Sequence, residues 1–171
     1  MVHIYYGDGK GKTTAAIGLA VRAAGSRMKV LFVQFLKTEF SGERHTLSHT
    51  ENVSLTFAPV ELKFTYQMNE HEKNKAAVLF KQIFDESVTK VLTQKYDMIV
   101  LDEIFSAIEA GMIDEQEVYG FVSNAPKNLE VIMTGHNPPE HILALADYIT
   151  EMKKIRHPYD KGVQARFGIE F

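Results

Sequence analysis

Cysteine is absent from this chain of 171 residues, which excludes disulfides, thiolate zinc sites and thiol nucleophiles. Basic charge is not in excess either. The 19 Lys and Arg against 22 Asp and Glu leave a net charge of -3, so the cationic stripe that a nucleic-acid backbone demands is missing. No apolar run approaches the roughly 20 residues of a membrane span. Only six residues precede the first glycine, too few for a signal peptide. Repeats, low-complexity tracts and linkers are also lacking. These absences lead us to expect a cytoplasmic protein with neither nucleic acid nor membrane as partner.

What remains is an ordinary globular composition, 45% hydrophobic and 24% charged. The length suits one domain over residues 1–171, able to bury roughly two-thirds of its unfolded surface.

A β-prone run at residues 2–6 feeds into Gly7-Asp8-Gly9-Lys10-Gly11-Lys12-Thr13-Thr14. Three glycines free the backbone to turn successive N–H groups around an anion. Lys12 adds a mobile positive charge, and Thr13 a hydroxyl suited to a Mg²⁺ that bridges phosphates. The apolar residues from Ala15 onward predict a helix over about Thr13 to Ala24 with Gly25 as its stop; its N-terminus faces the same place. Its alanines and Gly18 suggest close packing on a sheet. This is a phosphate-binding loop with one irregularity. The usual spacing puts the first glycine at position 6, where Tyr6 stands, and Gly7 comes one residue late.

Further on, nearly continuous apolar residues at 29–35 predict a strand covered on both faces. Residues 36–51 turn polar, with Ser41-Gly42-Glu43-Arg44 as a surface loop, and a strand is expected at 53–58. Asn69 followed by Glu72 has capping-box spacing and opens a long amphipathic helix to about Thr93. A strand at 96–101 ends in Asp102-Glu103, and Asp114 with Glu117 caps another helix. A strand at 130–134 runs into Thr134-Gly135-His136, and Asn137-Pro138 opens a helix. Residues 148–155 make a last strand, followed by a polar tail. Alternating strands and helices imply an α/β fold, a mostly parallel sheet with helices on both faces.

In such sheets ligands bind outside the carboxyl ends of the strands. Four ends carry polar or glycine-rich sequence here: 7–13, 34–37, Asp102-Glu103 and 134–137. Asp102 or Glu103 can hold Mg²⁺ opposite Thr13, and spacing leaves open which of the two does so. His3, His45, His49, His71 and His141 form no recognisable metal set.

Together these stations resemble the P-loop ATP:corrinoid (cob(I)alamin) adenosyltransferases of cobalamin synthesis and salvage. The resemblance rests on the glycine loop through Ala16, Val33-Gln34-Phe35-Leu36-Lys37, Gly42-Glu43-Arg44, Phe64-Thr65-Tyr66 and Leu101-Asp102-Glu103. It continues through Thr134-Gly135, Ala146-Asp147, Thr150-Glu151-Met152 and Gly168-Ile169-Glu170. The family also lacks a glycine at the place of Tyr6. Tyr66 stands where a tryptophan is common, and His136 where an arginine is common.

The resemblance implies a P-loop NTPase-like (RecA-like) fold and transfer of the 5′-deoxyadenosyl group of ATP to Co(I) of a corrinoid, releasing triphosphate. It implies Lys12, Phe64 and Tyr66 as catalytic residues, the two aromatics favouring four-coordinate cobalt. ATP is then held by Gly7, Asp8, Gly9, Lys10, Gly11, Lys12, Thr13, Thr14, Lys37, Arg44 and His136. Thr13, Asp102 and Glu103 serve Mg²⁺ or Mn²⁺. An electron donor such as flavodoxin and a homodimer are implied as partners. Two other readings stand beside this one: a P-loop kinase or ATPase cleaving between β and γ phosphates, and an ATP- or corrinoid-binding sensor without turnover.

Overall fold

The computed structural model describes residues 1–63 and 67–170. Its centre is a six-stranded sheet in the order β3-β2-β4-β5-β1-β6. The strands are β1 (Val2–Tyr6), β2 (Val30–Gln34), β3 (Val53–Leu55), β4 (Met98–Asp102), β5 (Glu130–Gly135) and β6 (Tyr148–Glu151). Every pairing is parallel. The expected α/β class therefore holds, with a sheet that is wholly parallel among the described residues.

The runs read as strands covered on both faces show why they are so apolar. Along β2 and β4, Val30, Phe32, Met98 and Val100 face one side with the alanine stripe Ala16, Ala20, Ala23 and Ala24 of α1 (Lys12–Gly25). The alternate residues Leu31, Val33, Ile99 and Leu101 face the other side. There they meet Phe80, Ile83 and Phe84 of α3 (Glu70–Thr93), and Ile104 and Phe105 of α4 (Ile104–Glu109). A period of two on each strand thus supplies two cores at once. The alanines let α1 lie close on the sheet. Gly18 does not contribute: a Cβ there would meet nothing within 4 Å.

Helix α3 begins as its sequence predicts. The Asn69 side chain accepts from the Glu72 N–H at 2.9 Å, and the Glu72 carboxylate accepts from the Asn69 N–H at 3.0 Å. Helix α5 (Glu115–Ser123) starts at Asp114, whose carboxylate accepts from the Gln116 N–H.

Several expectations need correction. The supposed loop around residues 41–44 belongs to a short helix, α2 (Gly42–Ser48), held down by the fully buried Leu47. One apolar anchor leaves no period to read. Helix α4 directly after Asp102-Glu103 was not expected either. Strand β3 stops at Leu55, and helix α6 (Glu140–Leu143) starts after Pro139 rather than at Asn137-Pro138. Strand β6 ends at Glu151 because Met152 turns toward the glycine loop: its N–H donates to the Tyr6 carbonyl, and its own carbonyl accepts from the Gly9 N–H. The tail holds a 3-10 helix at Pro158–Lys161. No helix among the described residues is long and apolar enough to cross a membrane.

Candidate active site

Strand register brings the polar ends together. Gln34 of β2 pairs with Asp102 of β4, and Tyr6 of β1 lies between Gly135 of β5 and Glu151 of β6. Over these ends opens a cavity of about 540 Å³, lined by Lys10, Gly11, Lys12, Thr13, Thr14, Ile17, Lys37, Gly42, Glu43, Thr46, Glu103, Gly168, Ile169 and Glu170.

The glycine loop has two sides. Lys10 to Thr14 face the cavity. Gly7, Asp8 and Gly9 lie against the chains leaving β5 and β6: Asp8 accepts from the Lys154 N–H after β6 at 2.8 Å, and the Gly7 N–H donates to the His136 carbonyl after β5 at 3.2 Å. Gly7 has φ 112°, and a Cβ on it would sit 2.6 Å from the Met152 carbonyl oxygen. At Gly9 the same distance is 2.5 Å. The late glycine therefore answers a close approach of backbone from β6. Lys12 is buried, and its ammonium donates to the Gly9 carbonyl at 2.9 Å, folded back over the loop.

Opposite the loop stands Asp102, fully buried. Its Oδ1 accepts from the Thr13 hydroxyl at 2.9 Å and the Thr134 hydroxyl at 2.7 Å. Burial, reinforced by the neighbouring Glu103 charge, pushes the Asp102 carboxyl up from its ordinary range. Glu103 caps α4 in the left-handed region, φ 60°, a conformation that costs a non-glycine residue about 1–3 kcal/mol. Its N–H donates to the Thr134 hydroxyl and its carboxylate accepts from Ser106. The Thr134 hydroxyl thus ties both acidic residues together. Gly135 beside it is required by packing: φ is 149°, and a Cβ would lie 2.6 Å from that of Phe105.

A second polar group adjoins these carboxylates. Gln34 Nε2 donates to Glu43 and Asp102, Lys37 donates to Glu43 at 3.2 Å, and Arg44 donates to the Gln34 side-chain oxygen and the Thr56 carbonyl. Glu43 is held below the usual carboxylate range; burial opposes this, and Lys37 and the hydrogen bonds outweigh it.

Of the residues chosen from sequence, Lys10, Gly11, Lys12, Thr13, Thr14, Lys37 and Glu103 line the cavity, with Asp102 bonded to Thr13 behind it. Arg44 lies in the adjoining network, outside the lining. The His136 side chain is exposed and also outside the lining, with only its carbonyl on the loop. Phe64 and Tyr66 lie outside the described residues. Sequence reasoning did not select Glu43, Ile17, Thr46 or the tail residues 168–170. Glu43 had stood beside Arg44 in a shared motif, its one signal. The tail carries a carboxylate to the loop: Glu170 pairs with Lys10 at 3.6 Å and with Arg166 at 3.0 Å.

For a divalent cation, the donor chemistry fits. A buried carboxylate facing a loop hydroxyl, with a second carboxylate beside it, is the oxygen-rich, partial set that Mg²⁺ accepts when phosphates supply the rest. Among the described residues no three or more His, Asp or Glu form a closed metal cluster.

A parallel sheet, a glycine loop opening α1 and an acidic strand end bonded to its threonine define a P-loop nucleotide-binding protein. A chain of EssC (ATPases 2 and 3) from Geobacillus thermodenitrificans shares this fold, with TM-score 0.50 at 14% identity over 98% of this chain and 34% of that one. The family model described as ATP:corrinoid adenosyltransferase BtuR/CobO/CobP matches residues 1–171. The corrinoid adenosyltransferase of Escherichia coli (strain K12) is 33% identical over 172 residues, 100% of this chain and 85% of the relative. Corrinoid adenosyltransferase CobA of Salmonella typhimurium gives the same figures, 33% identity with 100% and 85% coverage. The chain belongs to the ATP:corrinoid adenosyltransferase family, whose members pass the adenosyl group of ATP to a corrinoid.

Proposed function

We propose that the 540 Å³ cavity receives the triphosphate of ATP as a leaving group. The Thr13–Asp102 contact beside the buried Lys12 carries this reading. The Co(I) lone pair of the corrinoid attacks C5′, forming the cobalt–carbon bond. The C5′–oxygen bond breaks, and its electrons leave with the triphosphate. No proton is removed from the nucleophile, so no general base is required of the protein.

What this chain supplies is charge and position. The α1 N-terminus and loop N–H groups meet the phosphate oxygens. Lys12 exchanges its Gly9 carbonyl for phosphate, and Lys10 and Lys37 add charge at the rim. Thr13 with Asp102 or Glu103 holds Mg²⁺ or Mn²⁺. Bound there, the ion neutralises charge developing on the triphosphate. Arg44 and His136 are the remaining nucleotide-side candidates, Arg44 through the Gln34 network.

For the corrinoid we propose the cleft of about 760 Å³ lined in part by Pro59, Val60, Leu62, Met68, Ala76 and Leu79. To Phe64 and Tyr66 we assign the exclusion of an axial ligand from cobalt. Thr38 lines this cleft and its neighbour Lys37 the phosphate cavity, so the two adjoin along one segment. The reading extends to a reduced flavodoxin-type donor, a homodimer and a cytoplasmic setting.

The test is incubation with Mg-ATP and chemically reduced cobalamin. Adenosylated corrinoid with triphosphate is expected. Orthophosphate without a corrinoid change would mark a kinase or ATPase, and binding without product a sensor.

A further inference from the structure

Gln34 ends β2 and is fully buried, yet its amide bonds to three charged side chains. Nε2 donates to Glu43 Oε1 at 2.9 Å and to Asp102 Oδ2 at 3.3 Å, and Oε1 accepts from Arg44 Nη1 at 3.1 Å. This orientation alone turns the amide nitrogen to carboxylates and its oxygen to the guanidinium.

We infer that Gln34 is a positioning residue for the metal end of the site. Its amide holds the Asp102 and Glu43 carboxylates side by side and keeps Arg44 from closing on Asp102. The inference rests on the metal reading proposed above.

The buried Asp102 carboxylate at the end of β4 and the Glu43 carboxylate of α2, which Lys37 pairs only from one side, repel each other. A lysine or arginine at position 34 would relieve the repulsion, but it would neutralise the site and compete with a divalent cation. An amide offers two N–H donors and no net charge. Arg44 is meanwhile occupied by the Gln34 oxygen and by the Thr56 carbonyl at 2.7 Å. The amide also orients Asp102. A carboxylate has about four acceptor sites; the Thr13 and Thr134 hydroxyls use Oδ1, and Gln34 takes one site of Oδ2. One Oδ2 site remains open, in a side chain held from both ends.

Two substitutions separate this role from simple cross-linking. Gln34→Met removes all three bonds at similar length. Gln34→Glu keeps an acceptor for Arg44 and loses both donors. For the full chain and each variant, affinity for inorganic tripolyphosphate is measured calorimetrically without metal. Affinity for Mn²⁺–tripolyphosphate is measured by water-proton relaxation enhancement. Melting temperatures report folding.

Both variants should lose on the order of tenfold of the advantage that Mn²⁺ gives, the scale of a hydrogen bond to a charged group. Metal-free affinity should change far less. Retention of the advantage in Gln34→Glu, with its loss in Gln34→Met, would make Gln34 an anchor for Arg44 and overturn the inference. Equal loss with and without metal would overturn it too. If Gln34→Glu does not fold, Gln34→Met decides: the advantage kept overturns the inference, and the advantage lost at wild-type melting temperature supports it. A wild-type protein without any metal advantage sinks the metal reading and the inference together, whereas an advantage kept by both variants sinks the inference alone.

Discussion

The Thr13 hydroxyl donates to Oδ1 of Asp102 at 2.9 Å, joining two residues 89 positions apart. It binds the start of α1 to the end of β4, with β5 between their strands. The buried charge of Asp102 is sustained by two hydroxyls and one amide. Such a charge costs stability unless it is fully compensated. Asp102→Asn should therefore raise the melting temperature of the ligand-free protein, or leave it unchanged. It should lower kcat/KM with Mg-ATP by roughly 10- to 100-fold, the scale of a lost charge-assisted bond. Paired thermal melts and kinetics at varied Mg²⁺ check both halves.

Lys12→Ala should cut the rate of adenosyl transfer steeply while leaving the fold intact, because the Lys12 ammonium bonds only to a loop carbonyl in the described structure. Loss of one preorganised donor to a developing anion typically costs about 10² to 10³ in rate. The charge on Lys12 makes the upper end the expectation. Triphosphate release, followed against time, is the readout.

Gly9→Ala places a methyl 2.5 Å from the Met152 carbonyl oxygen. Overpacking against backbone costs about 1–3 kcal/mol, and the strain falls on the hydrogen bond that closes the loop onto β6. A lower melting temperature and a raised KM for ATP are expected together. Gly18→Ala, with open space around it, should raise stability slightly by its helix propensity, on the order of 1 kcal/mol.

Glu170 is held at a pKa of about 2, down from 4.5, by hydrogen bonds from Arg166, with the charges of Arg166 and Lys10 adding to them. A depressed carboxylate contributes to the Arg166–Glu170 pairing within the tail above its ordinary range, and that contribution is lost as pH falls from about 4.5 toward 2. In an NMR carboxyl titration, Glu170 should show its midpoint near the lower value. In Arg166→Ala the midpoint should move toward the upper one. An unshifted midpoint in that variant would remove Arg166 as the cause.

Phe64→Ala should chiefly impair turnover that starts from cob(II)alamin, where the axial ligand must be removed before reduction. With pre-formed Co(I) the loss should be smaller. Equal losses by the two routes would count against the axial role.

Local chemistry made much of this protein legible in one dimension. The apolar continuity of β2 and β4, the capping box at Asn69 and Glu72, and the glycine loop all act over a few residues. Each left its mark in the order of residue types. Helices α2 and α4 left no such mark, being short and held by tertiary burial of Leu47, Ile104 and Phe105. Their lengths hold less than two turns of pattern.

The sequence by itself determined the parallel α/β class, the phosphate loop and the two acidic residues that face it. Tertiary structure alone decided which side of that loop is free. Residues 152–154 of the chain leaving β6 occupy Gly7, Asp8 and Gly9, and so the late glycine serves backbone packing while Lys10 to Thr14 remain for a ligand. It also placed Gln34 and Glu43 beside Asp102. The physical reason is one of range. Glycine conformations and strand periods are settled between near neighbours, whereas those contacts exist only once a parallel sheet has aligned the ends of strands distant in sequence.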